Sequence, residues 1–207
     1  MYSRFGTKVT VLEYADKICG PMDKGLSNKM LTILKKQGMK FVLQAKVTGQ
    51  KISGNTVTVD FESLTDGSKQ SIECETVLVA AGRKPFSEGL GLENLKIETD
   101  KRGFVHVNEH YQTSVPNVFA IGDLIPGPML AHKAEEEGVA VAELLAGQAG
   151  HVNYETVPSV IYTWPEFASV GYSEEQLKEM NVPYKSGEFP FIANGRAKAA
   201  GQTDGGV

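Results

Sequence analysis

This 207-residue sequence lacks the features that define several broad protein classes. No apolar run approaches the roughly 18 to 20 residues that a membrane-spanning helix needs, and the N-terminus lacks a signal-peptide pattern. It also lacks a basic stretch, since 21 Lys and Arg residues are outnumbered by 25 Asp and Glu residues and the net charge is -4. Nucleic-acid binding depends on clustered positive charge. We therefore expect no membrane span and no nucleic-acid partner.

Cysteine is scarce as well. The two cysteines, Cys19 and Cys74, lie far apart and form neither a disulfide framework nor a redox CxxxxC nor a metal-binding CxxC. We interpret both as structural or incidental thiols. None of the histidines pairs with a cysteine or with another histidine at a metal-ligand spacing: His106, His110, His132 and His151. The sequence therefore predicts no redox-active cysteine pair and no metal site.

The first half of the sequence alternates between helical and strand periodicity. A β-rich run at Val9–Leu12 precedes apolar residues at helical spacing from about Leu26 to Gln37, and Gly38 follows as a helix stop. The period then changes to two. Turn signals at residues 53–55 and 66–67 separate four predicted strands of an antiparallel meander, at residues 41–43, 46–48, 57–61 and 71–74.

The second half predicts further strands and two helices. The run Thr76–Ala80 is apolar nearly throughout, as expected for a strand buried on both faces of a parallel sheet. Residues 130–146 predict a helix that ends at Gly147, and Ser173–Gln176 predicts a capping box that opens a short helix. Other short strands are predicted at residues 105–108, 118–121, 160–163 and 189–192. The succession indicates an α/β fold.

A carboxylate, Glu13, follows the first predicted strand, VTVLEY. In dinucleotide-binding βαβ units, a carboxylate at the end of the second strand accepts hydrogen bonds from the adenosine ribose. Its negative charge would repel a 2′-phosphate and so favour NAD over NADP. Solvated strand ends also carry single carboxylates, so Glu13 alone leaves both interpretations open.

Two glycine-containing segments end predicted strands. VLVAAGRKP, residues 77–85, places Gly82 where a nucleotide could approach the backbone, although a plain turn fits as well. In VPNVFAIGDLIPGPMLAHKAEEEG, residues 115–138, Asp123 can accept a hydrogen bond from a sugar or polyol hydroxyl. The helix beginning near residues 129–132 could stabilise negative charge on a reduced flavin. Taken singly, Asp123 is also a common turn residue and His132 a common helix-start residue.

The strings IGDLIPGPMLAHKAEEEG, LVAAGRKP and PSVIYTWPE are similar to the dihydrolipoamide dehydrogenase family of flavoprotein pyridine nucleotide-disulfide oxidoreductases, and the likeness runs over essentially the whole chain. Glutathione and mercuric reductases share the GD step but lack the PMLAHKAEEEG continuation. The resemblance implies three parts: the remainder of a Rossmann-like NAD domain with a meander (residues 1–81), a central FAD-contacting domain (82–153) and a truncated α+β interface domain (154–207).

The resemblance also assigns cofactor contacts. It implies that Glu13 contacts the NAD ribose, that Val47 lies near the adenine and that Gly82 lines the nicotinamide-side approach. For FAD, it implies that Asp123 contacts the ribityl chain. Four further residues would lie along the flavin: Met129, Leu130, Ala131 and His132.

The family's activity is oxidation of dihydrolipoamide, with electrons passing through FAD to NAD. The resemblance implies a homodimer that serves lipoyl domains of 2-oxoacid dehydrogenase or glycine cleavage complexes, in the mitochondrial matrix or in bacterial cytoplasm. The family's GxGxxG motifs, CxxxxC pair and catalytic interface His and Glu are not found here. We therefore expect an internal portion of such an enzyme that is inactive alone. A different flavoprotein disulfide reductase and a non-catalytic nucleotide-binding module remain alternatives.

Overall fold

A computed structural model describes all residues from Met1 to Val207. The chain forms two compact units. Unit 1 comprises Met1–Val79 and Val160–Val207, and unit 2 comprises Ala80–Ser159. The division into three domains made from the sequence stays a prediction, because compactness alone does not delimit domains.

Unit 1 begins with a strand, a helix and a second strand, as the sequence predicts. Strand β1 (Thr10–Leu12) pairs in parallel with β2 (Lys40–Val42), and helix α1 (Lys24–Lys36) connects them. Gly38, with φ 93°, follows the helix in the left-handed conformation that glycine adopts most readily. The βαβ arrangement is therefore built around a short parallel pair.

The antiparallel meander is confirmed for three of its four predicted strands, and the strand predicted at residues 41–43 is instead β2, which pairs in parallel with β1. Its strands β3 (Ala45–Ser53), β4 (Thr56–Ser63) and β5 (Lys69–Cys74) are longer than the sequence predicts and pair in order. Gly54 and Gly67 provide the positive φ angles of the two connections.

The C-terminal part of unit 1 matches the prediction only in part. Its elements are β6 (Ser159–Ile161), β7 (Phe167–Ser169), α3 (Glu174–Glu179), a 3-10 turn (Phe191–Ala193) and helix α4 (Gly195–Ala199). The capping box at Ser173 and Gln176 is confirmed by hydrogen bonds in both directions. The predicted strand at 189–192 is wrong, because the chain turns at Phe191 and only an isolated bridge joins Pro190 to Gly206.

The core of unit 1 forms where α1 packs with the segments around it. Five buried residues make this cluster: Ile18, Met22, Met30, Leu34 and Phe167. Burying each of the larger side chains contributes roughly 2 kcal/mol. Asp23 begins α1, and its carboxylate accepts hydrogen bonds from the N–H groups of Gly25 and Leu26.

Unit 2 is built around one long helix and irregular chain. Helix α2 (Ala131–Leu145) ends as predicted, with Gly147 following at φ 76°. The predicted strands at 105–108 and 118–121 are wrong, since they form only single bridges, Thr99 to Val105 and Gln112 to Phe119. Both segments instead supply core residues. The buried core contains Ile97, Val105, Tyr111, Ala120, Ile125, Ala140 and Val152.

The predicted buried strand Thr76–Ala80 is also wrong. These residues form no strand and are exposed, with Leu78 at 75% and Val79 at 81% relative exposure. A strand exists only where a neighbour supplies hydrogen bonds, and the parallel sheet of unit 1 consists of β1 and β2 alone. The apolar sequence is thus correct for a strand, but this chain contains no partner for it. No helix in the structure is long and apolar enough to span a membrane.

Candidate functional site

Glu13 lies at a junction of three strands in unit 1. It follows β1, its N–H donates to the carbonyl of Val42 (2.9 Å), and its carbonyl accepts the N–H of Ala45 (2.9 Å). One carboxylate oxygen, Oε1, accepts the N–H of Ala15 at 2.8 Å. The half-buried side chain is therefore oriented by its own turn. Only one of its oxygens is engaged, and a carboxylate has about four lone-pair positions.

Val47 lies near this junction. It is two residues beyond Ala45 on β3, opposite Phe61, and at the start of the β-bulge between Val47 and Gly49. Its side chain is 53% exposed. A β-branched side chain that is left exposed beside a strand-end carboxylate could cover one face of a flat apolar ring. The fold thus brings Glu13 and Val47 into one corner of unit 1.

Gly82 belongs to unit 2, together with the residues that the sequence assigns to the flavin. It has φ +113°, and no atom lies within 4 Å of the position that a Cβ would occupy. The next residue, Arg83, forms an ion pair with the Asp123 carboxylate and donates to the carbonyl of Met129 at 3.3 Å. Gly82 is therefore one residue from a side chain that contacts both Asp123 and the segment before α2.

Asp123 is held on a tight turn. It is the middle residue of a 3-10 turn, Gly122–Leu124, which begins with Gly122 at φ +67°. A Cβ built on Gly122 would lie 3.0 Å from the Cβ of Ala134 on α2. The turn can therefore pack this closely on the helix only because residue 122 is glycine.

The residues at the start of α2 present backbone donors. Leu130 is the N-cap and provides no side-chain acceptor. The first N–H groups of the helix consequently meet no capping side chain, and the positive end of the helix dipole is left uncovered. Met129 and Leu130 are half-buried, whereas Ala131 is exposed. This donor set suits an anionic or electron-rich group.

His132 is fixed by a hydrogen bond between Nε2 and the carbonyl of Pro158, at 2.7 Å. Because a carbonyl oxygen can only accept, Nε2 must carry the proton. The side chain therefore stabilises the chain that follows α2. Its backbone N–H is still part of the uncapped first turn.

A buried network behind the Gly122–Asp123 turn was missed by sequence reasoning. Lys133 and Glu137, one turn apart on α2, are both fully buried, and Lys133 Nζ lies 2.8 Å from Glu137 Oε1. The Gly122 N–H donates to Glu137 Oε2 (2.6 Å), and Lys133 donates to the Gly122 carbonyl (3.2 Å). The pair therefore binds both polar groups of one residue.

Two tyrosines complete the network. The Tyr154 hydroxyl donates to Glu137 Oε1 at 2.7 Å and lies 3.2 Å from the Tyr111 hydroxyl. Burial and the neighbouring Glu137 raise the pKa of Tyr154, so it stays a donor at physiological pH. The sequence did contain an indication that these side chains are buried, because the spacing of Lys133 and Glu137 places them on the same helix face as the buried Ala140.

A cavity in unit 1 and the two thiols do not belong to these sites. The cavity is open, has a volume of about 540 Å³ and is lined by residues that include Lys35, Phe41, Phe61 and Ile72, and none of the predicted cofactor residues lines it. Cys19 and Cys74 are free and half-buried. Burial raises the pKa of the Cys19 thiol, which makes it less reactive.

Comparison with known proteins identifies the family. The family model described as pyridine nucleotide-disulphide oxidoreductase matches residues 1–138, two thirds of the chain. The chain belongs to the pyridine nucleotide-disulphide oxidoreductase family. The dimerisation domain of the same family matches residues 157–207. The resemblance inferred from the sequence is thereby confirmed.

Among the relatives of this chain is the mitochondrial dihydrolipoyl dehydrogenase of Caenorhabditis elegans, 50% identical over 100% of the chain and 42% of the relative. Leghemoglobin reductase of Glycine max is 51% identical over 99% of the chain and 39% of the relative. Among solved structures, a Cu(II) complex of a mutant of the HOCl-induced flavoprotein disulfide reductase RclA from Escherichia coli has TM-score 0.88 and 28% identity, covering 99% of the chain and 46% of that structure. The chain thus spans about two fifths of the length of its curated relatives.

Proposed function

We propose that this chain forms the NAD-contacting and flavin-contacting segment of a dihydrolipoyl dehydrogenase. The observation that carries the proposal is an identity of 50% over the whole chain to a dihydrolipoyl dehydrogenase. The enzyme would oxidise protein-bound dihydrolipoamide and reduce NAD. FAD, when bound, supplies the electron transfer between the dithiol and the nicotinamide. The residues of this chain bind and orient the two nucleotides.

On the NAD side, Glu13 accepts hydrogen bonds from the adenosine ribose hydroxyls. The proposal is supported by the position of the carboxylate at the end of β1, with Oε1 bonded to the Ala15 N–H and capacity left on the other oxygen. Val47, exposed in the same corner, packs against the adenine. The open backbone at Gly82 lines the approach of the nicotinamide. A negative charge at Glu13 disfavours the 2′-phosphate of NADP.

On the FAD side, the Asp123 carboxylate accepts a hydrogen bond from a ribityl hydroxyl, while Arg83 holds it in place. Met129, Leu130, Ala131 and His132 line the flavin. The absence of a side-chain cap on α2 supports this assignment, because the free N–H groups can stabilise negative charge on the reduced ring. The residues present therefore fit the cofactor.

Family membership also supports a proposal for the domain arrangement, the oligomeric state and the partners. We propose that residues 1–81 belong to the NAD domain, 82–153 to the central domain and 154–207 to the interface domain. Residues 157–207 match a dimerisation domain, which supports a homodimer. The partners would be lipoyl domains of 2-oxoacid dehydrogenase or glycine cleavage complexes. Relatives named as mitochondrial support a location in the mitochondrial matrix.

A second candidate is a flavoprotein reductase with another electron acceptor. It is favoured by the identity of 51% to a leghemoglobin reductase, which is as high as that to the dehydrogenase. The contacts in this chain concern the nucleotides and do not select between the two substrates.

The test uses the holoenzyme, by which we mean an FAD-loaded polypeptide of the relatives' full length that contains residues 1–207. It is either the protein itself or a chimera in which this chain replaces the matching segment of the C. elegans relative. We expect dihydrolipoamide-dependent reduction of NAD. An FAD-loaded holoenzyme that fails to reduce NAD when dihydrolipoamide or another dithiol is supplied, or one that works only with NADP, would contradict the proposal.

Glu13→Arg tests the nucleotide contact. Because it replaces the ribose acceptor by a cation, we expect KM for NAD to rise about tenfold or more and NADP to become the better substrate. Glu73→Arg, which makes the same charge change at an exposed position on β5, is the matched control and should change neither value. Equal effects of both variants would argue against the contact.

A further inference from the structure

Lys133 and Glu137 form a fully buried ion pair in unit 2. Both side chains have zero relative exposure. Removing two ions from water costs several kcal/mol each, and replacing such a pair by apolar residues is often neutral or stabilising. Stability alone therefore gives little reason for a buried pair at this position. The hydrogen bonds it makes outside its own helix indicate another role.

Those hydrogen bonds converge on one residue. Glu137 accepts the Gly122 N–H and Lys133 donates to the Gly122 carbonyl, so the two charges bind both ends of the residue before Asp123. Gly122 has a left-handed backbone and contacts Ala134 closely. Apolar replacements could fill the same volume, but they would leave the N–H of Gly122 unpaired and its carbonyl with the Ile125 N–H (3.3 Å) as its remaining donor.

Lys133 also reaches the segment that leads into α2. A Cβ built on Gly127, which has φ +129°, would lie 3.0 Å from Cε of Lys133. The aliphatic stem of Lys133 therefore packs against the loop that precedes Met129. One side chain thus contacts both parts of the proposed flavin site: the turn that carries Asp123 and the approach to the first turn of α2.

The tyrosine at the far side of the network fixes the carboxylate. Glu137 Oε1 accepts from both Lys133 Nζ (2.8 Å) and Tyr154 Oη (2.7 Å), while Oε2 accepts from Gly122. Each oxygen of Glu137 thus has a donor, so its rotation is restricted. A fully bonded charge network of this kind selects a single geometry.

We propose that the Lys133–Glu137 pair, oriented by Tyr154, is a positioning device that sets the Gly122–Asp123 turn and the start of α2 for contact with the flavin. This inference rests on the proposed function. The three side chains are positioning residues, since they act through the backbone of Gly122 or through one another.

The main test is the paired variant Lys133→Met with Glu137→Leu. It removes both charges together, so that neither is left buried alone, and it retains side-chain volume. We expect the free energy of unfolding to stay close to the wild-type value, because the desolvation cost that is removed offsets the loss of the hydrogen bonds to Gly122. In the full-length polypeptide, the Gly122 amide should exchange with solvent about tenfold faster or more, because it has lost its acceptor. In the holoenzyme, FAD affinity should fall about tenfold or more, with a shifted flavin absorbance spectrum.

A destabilising control in the same unit separates a positioning effect from a loss of stability. Ile97→Val removes a methylene group from the core of the same unit without touching the network. It should lower the free energy of unfolding yet leave FAD affinity and the flavin spectrum unchanged. The paired variant should show the opposite pattern, in which stability is retained while FAD affinity and the flavin spectrum change. That pattern indicates a positioning role. A paired variant that binds FAD with wild-type affinity and spectrum would overturn the inference.

If the paired variant does not fold, variants that each remove one tyrosine hydroxyl provide the test. Tyr154→Phe removes one donor to Glu137 and should weaken FAD binding by a smaller factor. Tyr111→Phe, which affects Glu137 only through Tyr154, should have a weaker effect still. Wild-type behaviour of Tyr154→Phe would overturn the inference. Failure of the wild-type full-length polypeptide to bind FAD would instead overturn the proposed function, and the inference with it.

Discussion

Replacing Gly122 by alanine should destabilise unit 2 by more than its backbone conformation alone explains. A non-glycine residue at φ +67° costs about 1–2 kcal/mol. The new Cβ would also lie 3.0 Å from the Cβ of Ala134, and overpacking of this kind costs about 1–3 kcal/mol. The structure therefore predicts a total loss of about 2–5 kcal/mol, by these two effects together.

A control for the conformational part is available in the same unit. Gly147 has φ +76°, and no atom lies within 4 Å of a Cβ built there. Gly147→Ala should therefore cost only about 1–2 kcal/mol. Adding Ala134→Gly to Gly122→Ala removes the crowded Cβ, so the two changes should couple favourably in a double-mutant cycle.

The assay is native-state amide exchange of α2, which reports the local stability of unit 2 even if the two units unfold separately. Equal costs of Gly122→Ala and Gly147→Ala, within the range of about 0.5 kcal/mol of ordinary surface substitutions, would refute a packing effect at Gly122. A lack of recovery by Ala134→Gly in the Gly122→Ala background would refute it as well.

Three further predictions follow from local features. Asp23→Ala should destabilise unit 1 by about 1 kcal/mol in urea unfolding, because it removes the cap of α1 and an acceptor for the Glu174 N–H; an unchanged midpoint would contradict this. The backbone N–H groups of Phe104 and Arg102 lower the pKa of Asp100, so its contribution is present above its unfolded pKa of about 3.9 and is lost as pH falls through the lower folded pKa. The stability gap between wild type and Asp100→Ala should accordingly narrow in acid, and a constant gap would refute this. Finally, the 207-residue chain alone should show no dihydrolipoamide-dependent NADH formation, and a clear signal would show that the prediction is wrong.

Features decided by neighbouring residues were predictable from the sequence. The stop of α1 at Gly38, the two meander connections and the capping box at Ser173 each depend on interactions within a few residues. Their signals are therefore complete in a short window of sequence. The same is true of α2, where helix-forming residues and Gly147 fix both extent and end.

Features that depend on distant partners were not predictable in this way. Thr76–Ala80 has the composition of a strand but pairs with nothing, and the segments at 105–108 and 118–121 became core loops with single bridges. The Lys133–Glu137 pair was missed for a related reason. Charges four residues apart on a helix are typical of a solvated face, and only the fold shows that this face is covered by Tyr154 and the Gly122 turn.

The two carboxylates that we propose to bind the nucleotides, Glu13 and Asp123, are both held by protein contacts that the sequence alone did not reveal. Glu13 accepts a backbone N–H from its own turn, and Asp123 is paired with Arg83. Each carboxylate is thus oriented before any ligand arrives, and each still has lone pairs for a hydroxyl group. An incoming ribose or ribityl chain would not have to order these side chains, which lowers the entropic cost of binding. For Asp123 the backbone is fixed as well, because the buried pair on α2 binds both polar groups of the preceding glycine.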